Sequence, residues 1–172
     1  MYRSIRAIVA AVGKRSAKCG DGGNAPFRLQ AAPGHLLRRA QQRAVDLYMQ
    51  EVGEDGPTPR QFAVLLSIAQ NPGVNQIDLV RLTGIDRSTM AEMIGRLIRR
   101  ALIRRRRRAA DGRANELHLT AAGGALVAAV LPAVRRAQAR ILAPLPAAEH
   151  AGFIRALRKL AAAAEADYTS AV

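Results

Sequence analysis

The sequence predicts a mainly α fold that carries one small antiparallel β hairpin. Three observations lead there. Hydrophobic residues make up 49% of the chain but aromatic residues only 3%, with no Trp. Ala, Leu, Ile and Val must therefore fill the core, which suits packed helices better than stacked sheets. Beyond Pro33, apolar residues recur mostly at three- and four-residue spacing. One stretch, residues 102–119, breaks that period and folds back at an Asp-Gly pair. A chain of 172 residues suits one globular domain with extensions.

Residues 1–33 are expected to form a basic extension with little order of its own. Its first twelve residues weakly imitate a signal peptide, but Arg6 interrupts a short apolar run. A helix is predicted over Gly34–Val52, with Leu37, Ala44, Leu47, Tyr48 and Val52 on one face. Thr58-Pro59-Arg60-Gln61 is a helix start: Thr58 caps, Pro59 suits the first turn, and Gln61 closes a capping box. Phe62, Leu65, Leu66 and Ile68 form that helix's inner face, and Asn71-Pro72-Gly73 stops it. A shorter helix begins at Asn75 and ends at Thr83-Gly84. The next starts at Asp86, a good cap whose charge favours a helix N-terminus, and runs to about Arg100. Residues 102–108 and 115–119 then read as two strands around the turn Ala110-Asp111-Gly112. Thr120 caps a long helix to about Ala143, with Pro132 expected to kink or loosen it. Pro144 and Pro146 separate it from a last helix, about Ala147–Ala166, with Phe153, Ile154, Leu157 and Leu160 on one side.

Two short helices joined by a tight Gly-containing turn, followed at once by a hairpin, make a winged helix-turn-helix. The domain organisation expected is a basic extension over 1–33, a dimerisation helix in 34–57, the winged lobe over 58–120, and C-terminal dimerisation helices over 121–172. Dimerisation is expected because the first and last helices are too apolar on one face to stand alone.

Charge and composition narrow the function. The net charge is +14, so polyanions attract the chain. The charge divides as roughly +5 over 1–33, −1 over 34–57, +7 over 58–120 and +3 over 121–172. The winged lobe is thus strongly basic. Cys19 stands alone, which excludes an intramolecular disulfide framework and any Cys-rich metal site. His35, His118 and His150 match no ligand spacing. No apolar run reaches the roughly 18 residues of a membrane span. No nucleophile with a base, paired carboxylates or phosphate loop stands out; Gly20-Asp21-Gly22-Gly23 lacks the following Lys-Ser/Thr and a preceding strand. The expectation is a cytoplasmic non-enzyme that needs no cofactor and no metal.

The second helix of the helix-turn-helix presents Arg87, Ser88, Thr89 and Arg96, which can donate to phosphates or base edges of duplex DNA. Arg suits guanine because its fork matches two acceptors. Gly95 leaves that face unobstructed. Glu92 either accepts from cytosine or pairs with Arg96 one turn on. Arg104–Arg108 exceeds what protection of a strand edge needs. Alternation along a strand puts only about half of these on one face, so Arg104 and Arg106 are taken as phosphate contacts. Arg113 sits at the hairpin tip, where an arginine can enter a narrow minor groove.

Residues 58–123 resemble the multiple-antibiotic-resistance regulator (MarR) family. The resemblance is carried by Thr58-Pro59-Arg60-Gln61-Phe62-Ala63-Val64-Leu65, Ile85-Asp86-Arg87-Ser88-Thr89-Met90, Leu102-Ile103-Arg104-Arg105, Asp111-Gly112-Arg113 and Leu119-Thr120-Ala121-Ala122-Gly123, in that order. It implies a homodimeric repressor on a pseudo-palindromic operator. Gly34-His35-Leu36-Leu37-Arg38-Arg39 also resembles a branch of the family that senses aromatic acids or their coenzyme A thioesters. That implies a small-molecule effector in a pocket near His35, Arg38, Arg39, Tyr48 and Phe62. Tyr48 and Phe62 at helical spacing are more often plain core, and His35 and Arg38 can simply cap and solvate the first helix. Ala101 departs from the family, which usually has Gly after the recognition helix. Gly95 and Ile98 replace usual polar residues, and Glu92 is acidic on the DNA-facing side. The competing reading is a basic architectural DNA-binding protein without sequence preference or a ligand switch.

Overall fold

The computed structural model describes residues 26–107 and 115–170. The chain divides into two units, Met1–Leu36 and Leu37–Val172. In the first, residues 29–31 form a single 3₁₀ turn before the chain enters α1 (Pro33–Val52). Residues 1–25, on which the expected basic extension mostly falls, lie outside the described part. The second unit continues α1 and adds α2 (Pro59–Gln70), α3 (Gln76–Thr83), α4 (Arg87–Arg99), β1 (Ile103–Arg107), β2 (Asn115–Leu119), α5 (Ala121–Leu142) and α6 (Ala147–Ser170).

Helix starts follow their caps. Thr58 accepts the Gln61 N–H while Gln61 reaches back to the Thr58 N–H, a complete capping box with Pro59 in the first turn. Asn75 accepts from the Asp78 N–H. Thr120 accepts from the Gly123 N–H. Gly84 ends α3 with φ 66°, a left-handed conformation that suits a residue without Cβ. α5 continues as helix through Pro132, and α6 runs beyond the expected end near Ala166 to Ser170.

The core sits among α2, α3, α4, the hairpin and one face of α5. Val64, Leu65, Leu79, Met90, Ile94, Leu97 and Ala137 have no exposed surface, and Phe62, Ile103, Leu117, Val127 and Val134 are buried with them. Aliphatic side chains thus dominate, as the scarcity of aromatics requires. β1 and β2 pair antiparallel with Ile103 opposite Leu119 and Arg107 opposite Asn115. Val74 adds a short bridge to the free edge of β2: the Leu117 N–H donates to the Val74 carbonyl, and the Gly73 N–H donates to the Leu117 carbonyl. This ties the hairpin to the segment between α2 and α3.

α5 enters this lobe by close approach. A Cβ on Gly123 would overlap the Leu102 carbonyl oxygen, so only glycine lets the helix start lie against the α4–β1 connection. The Thr120 hydroxyl donates to the Ala101 carbonyl at 2.7 Å. Farther along, Glu51 of α1 accepts from Arg136 at 2.8 Å and Arg140 at 2.9 Å, and Gln50 accepts from Arg140. Those bonds hold the Glu51 carboxyl below the usual carboxylate range, first through Arg136 and then Arg140. On α6, Phe153, Ile154, Leu157 and Leu160 remain 36–58% exposed. No helix among the described residues is long and apolar enough to cross a membrane.

Candidate nucleic-acid interface

α4 owes its orientation to the split between its two faces. Met90, Ile94 and Leu97 are wholly buried and Met93 nearly so. Arg87, Ser88, Glu92, Arg96 and Arg99 are exposed on the other side, and Thr89 is half-buried. Ile85, 8% exposed, anchors the turn before the helix in the core. α3 and α4 therefore form a rigid helix-turn-helix with a polar outer stripe. Arg87, Arg96 and Arg104 make no ion pair among the described residues, so their guanidinium groups are open to an anion.

The two ends of α4 carry most of the detail. At its start, Asp86 Oδ1 accepts the Thr89 N–H at 2.9 Å and the Ser88 hydroxyl at 2.6 Å. The Ser88 hydroxyl, followed by the Thr89 backbone and side chain, holds the Asp86 carboxyl far below the usual range. Ser88 has one hydroxyl proton, and in this arrangement it is engaged in the bond to Asp86. At its end, Ala101 adopts φ 54°. The Leu102 N–H returns to the Leu97 carbonyl and the Ala101 N–H to Ile98, closing the helix with the left-handed residue that usually would be glycine.

The hairpin register decides which arginines face outward together. Ile103 and Leu117 are 2% exposed and lie on the core side. Arg104 and Arg106 oppose His118 and Glu116 on the other side, as strand alternation predicts. His118 Nε2 lies 3.2 Å from Glu116 Oε2. Arg104, Arg105 and Arg106 are all exposed. Arg113, expected at the tip, lies outside the described residues.

Two expectations on the outer face of α4 change. Glu92 and Arg96, at the spacing of an intrahelical pair, form no ion pair with each other. The surface at Gly95 is not bare either: Arg99 Nη1 lies 3.6 Å from where a Cβ on Gly95 would stand. Arg99 lies one turn beyond Gly95 and was legible as a surface residue, but its backward reach needs the absent side chain to be noticed.

The residues suggested for an effector fall into separate groups. Tyr48 and Phe62 meet, ring centroids 6.3 Å apart at 54°, and are 4% and 5% exposed. The Tyr48 hydroxyl donates to the Pro57 carbonyl at 2.9 Å, and burial pushes its pKa up to about 12. Arg38 and Arg39 are exposed on α1. Ten residues separate Arg38 from Tyr48, about 15 Å of helix rise, so within one chain a single small aromatic acid does not span both. His35 is half-buried and belongs to the first unit. No group of three or more metal-binding side chains occurs among the described residues.

A basic helix-turn-helix backed by a core and flanked by an arginine-bearing hairpin defines a winged-helix DNA-binding protein. The sequence profile of the MarR family matches residues 55–114. The transcriptional regulator HosA of Escherichia coli is 33% identical over 73% of this chain and 92% of its own length. The PcaV regulator of Streptomyces coelicolor, solved with its natural ligand, is 38% identical; the match covers 82% of this chain and 99% of PcaV with a TM-score of 0.75. BpsR of Bordetella bronchiseptica, whose DNA binding is regulated by 6-hydroxynicotinic acid, is 32% identical over 79% and 97%, with a TM-score of 0.76. The repressor CouR, solved on a 23-mer DNA duplex, is 30% identical over 81% and 99%, with a TM-score of 0.72. The chain belongs to the MarR family and is a DNA-binding transcription regulator.

Proposed function

We propose that this protein is a homodimeric repressor that binds a pseudo-palindromic operator and is released by a small aromatic acid or its coenzyme A thioester. The observation that carries the DNA reading is the outer face of α4. It holds unpaired exposed arginines above a fully buried inner face, beside Arg104 and Arg106 on the hairpin. A second copy related by a two-fold axis would present two such helices, matching a palindromic site. The exposed apolar residues of α6 supply a surface for that copy. Arg87, Ser88, Thr89 and Arg96 would face the major groove, Arg104 and Arg106 the phosphates, and Arg113 the minor groove.

The effector reading rests on family and on chemistry. An aromatic acid needs apolar walls and one or two cationic groups for its carboxylate. Arg38 and Arg39 are exposed and carry no ion pair among the described residues. They suit the carboxylate, or the phosphates of a coenzyme A thioester. His35, Tyr48 and Phe62 remain the other candidate contacts. BpsR, similar over most of the chain, responds to a hydroxylated aromatic acid, which makes that class the first to test.

The mechanism would be a population shift: ligand binds best to a dimer whose recognition helices are wrongly spaced for DNA. Linkage then requires operator DNA to weaken ligand binding by the factor by which ligand weakens DNA binding. A thermal-shift screen of aromatic acids, 6-hydroxynicotinic acid included, would choose the ligand. Calorimetric titration with and without operator should then give unequal affinities. Equal affinities would remove the switch for that compound.

A further inference from the structure

The start of α4 sets two acceptors, Asp86 and Ser88, beside the exposed Arg87 in a strongly cationic lobe. Asp86 and Ser88 are both exposed. Asp86 Oδ1 takes the Ser88 hydroxyl proton at 2.6 Å and the Thr89 N–H at 2.9 Å. A serine hydroxyl has one proton and two lone pairs. While that proton is engaged in the bond to Asp86, only lone pairs of Ser88 Oγ are left to face outward. The bonds from Ser88 and Thr89 keep the Asp86 carboxyl far below its usual range. At neutral pH it is ionised and acceptor-only. Glu92 lies one turn beyond Ser88 on the same face, exposed and unpaired with Arg96. Arg87 is the one strong donor at this end of the helix, and the others, Arg96 and Arg99, come in its last turn.

Duplex DNA meets such a surface selectively. Phosphates are acceptors, so Ser88 in this state has nothing to give them, and the Asp86 charge is repelled. In the major groove only two groups donate, the N6 amino group of adenine and the N4 amino group of cytosine. A recognition helix presents its N-terminal residues to the base edges, so the acceptors stand where bases are read and the later arginines stand nearer the backbone. We infer that Ser88, polarised by Asp86, selects an amino-bearing base, adenine or cytosine, at one position in each operator half-site. Asp86 is the positioning residue and Ser88 the reader. This rests on the reading of α4 as the major-groove helix.

The test uses the full-length protein and a random-sequence duplex library. Selection with wild type should return a consensus containing an adenine or cytosine that selection with Ser88→Ala no longer requires, the remaining positions being unchanged. The selected operator is then remade without the amino group at that base, with purine for adenine or pyrimidin-2-one for cytosine. Wild type should lose about three- to tenfold in affinity for each half-site altered, the worth of one hydrogen bond per protomer. Ser88→Ala should lose a similar factor on the native operator and nothing more on the altered one. A uniform loss on all duplexes, whatever their sequence, would assign Ser88 to a phosphate and overturn the inference, as would no effect of Ser88→Ala at all. The altered-operator measurement on wild type makes the same test without any substitution in the protein. A wild-type library that returned no consensus would defeat the sequence-specific reading itself, and the inference with it.

Discussion

Ala101 holds φ at 54° where the chain leaves α4 for the hairpin. A Cβ disfavours that conformation by about 1 kcal/mol. The surrounding bonds hold it there: its own N–H is bound to Ile98, and its carbonyl accepts from Thr120. Ala101→Gly should therefore raise the unfolding free energy by somewhat less than 1 kcal/mol, since glycine also frees the unfolded chain. Denaturant midpoints of the two proteins measure this. An unchanged or lowered midpoint would mean that the strain is relieved elsewhere. The need for a left-handed residue here was visible in the sequence through the family resemblance, because that position usually holds Gly. The polarity of Ser88 was not. Capping by Asp86 follows from its place before the helix, but the competition between Asp86 and DNA for one hydroxyl proton depends on a rotamer that sequence does not specify.

At the scale of elements, helix starts were legible because each depends on a few local bonds. Thr58, Asn75, Asp86 and Thr120 all cap where their residue types suggest. The two strands and their alternation were legible, but the register, with Ile103 opposite Leu119, and the burial of Ile103 and Leu117 come from the structure. The tie between α1 and α5 was not legible, because Glu51 and Arg136 are 85 residues apart and no periodicity relates them. That tie has a pH signature. Arg136 and Arg140 depress the Glu51 carboxyl in the folded state. A depressed carboxylate contributes stability above its ordinary value of 4.5 and loses it as pH falls through the folded value. Unfolding midpoints taken near neutrality and at successively lower pH should thus fall less for Glu51→Gln than for wild type. Parallel curves would mean that the pair contributes nothing measurable, as many exposed pairs do.

For the whole molecule, a net charge of +14 draws the protein to any polyanion, so attraction alone does not separate a regulator from an architectural protein. Assembly is one discriminating property. Replacing Leu157 and Leu160 of α6 by Asp would put charge into the apolar surface proposed for the second copy. Sedimentation should then show a monomer, and operator affinity should fall by orders of magnitude because two half-sites no longer act together. A double variant that sedimented as a dimer and bound normally would move the interface elsewhere. Specificity is the more direct property. The central claim is that the outer face of α4 reads sequence and does not merely hold phosphate. Fluorescence anisotropy at physiological salt would compare the selected operator with a scrambled duplex of equal composition, for wild type and for Arg87→Ala with Arg96→Ala. Wild type is predicted to prefer the operator by roughly a thousandfold or more, and the double variant to lose most of that preference. Equal affinity of wild type for the two duplexes, or a preference untouched in the double variant, would contradict the account.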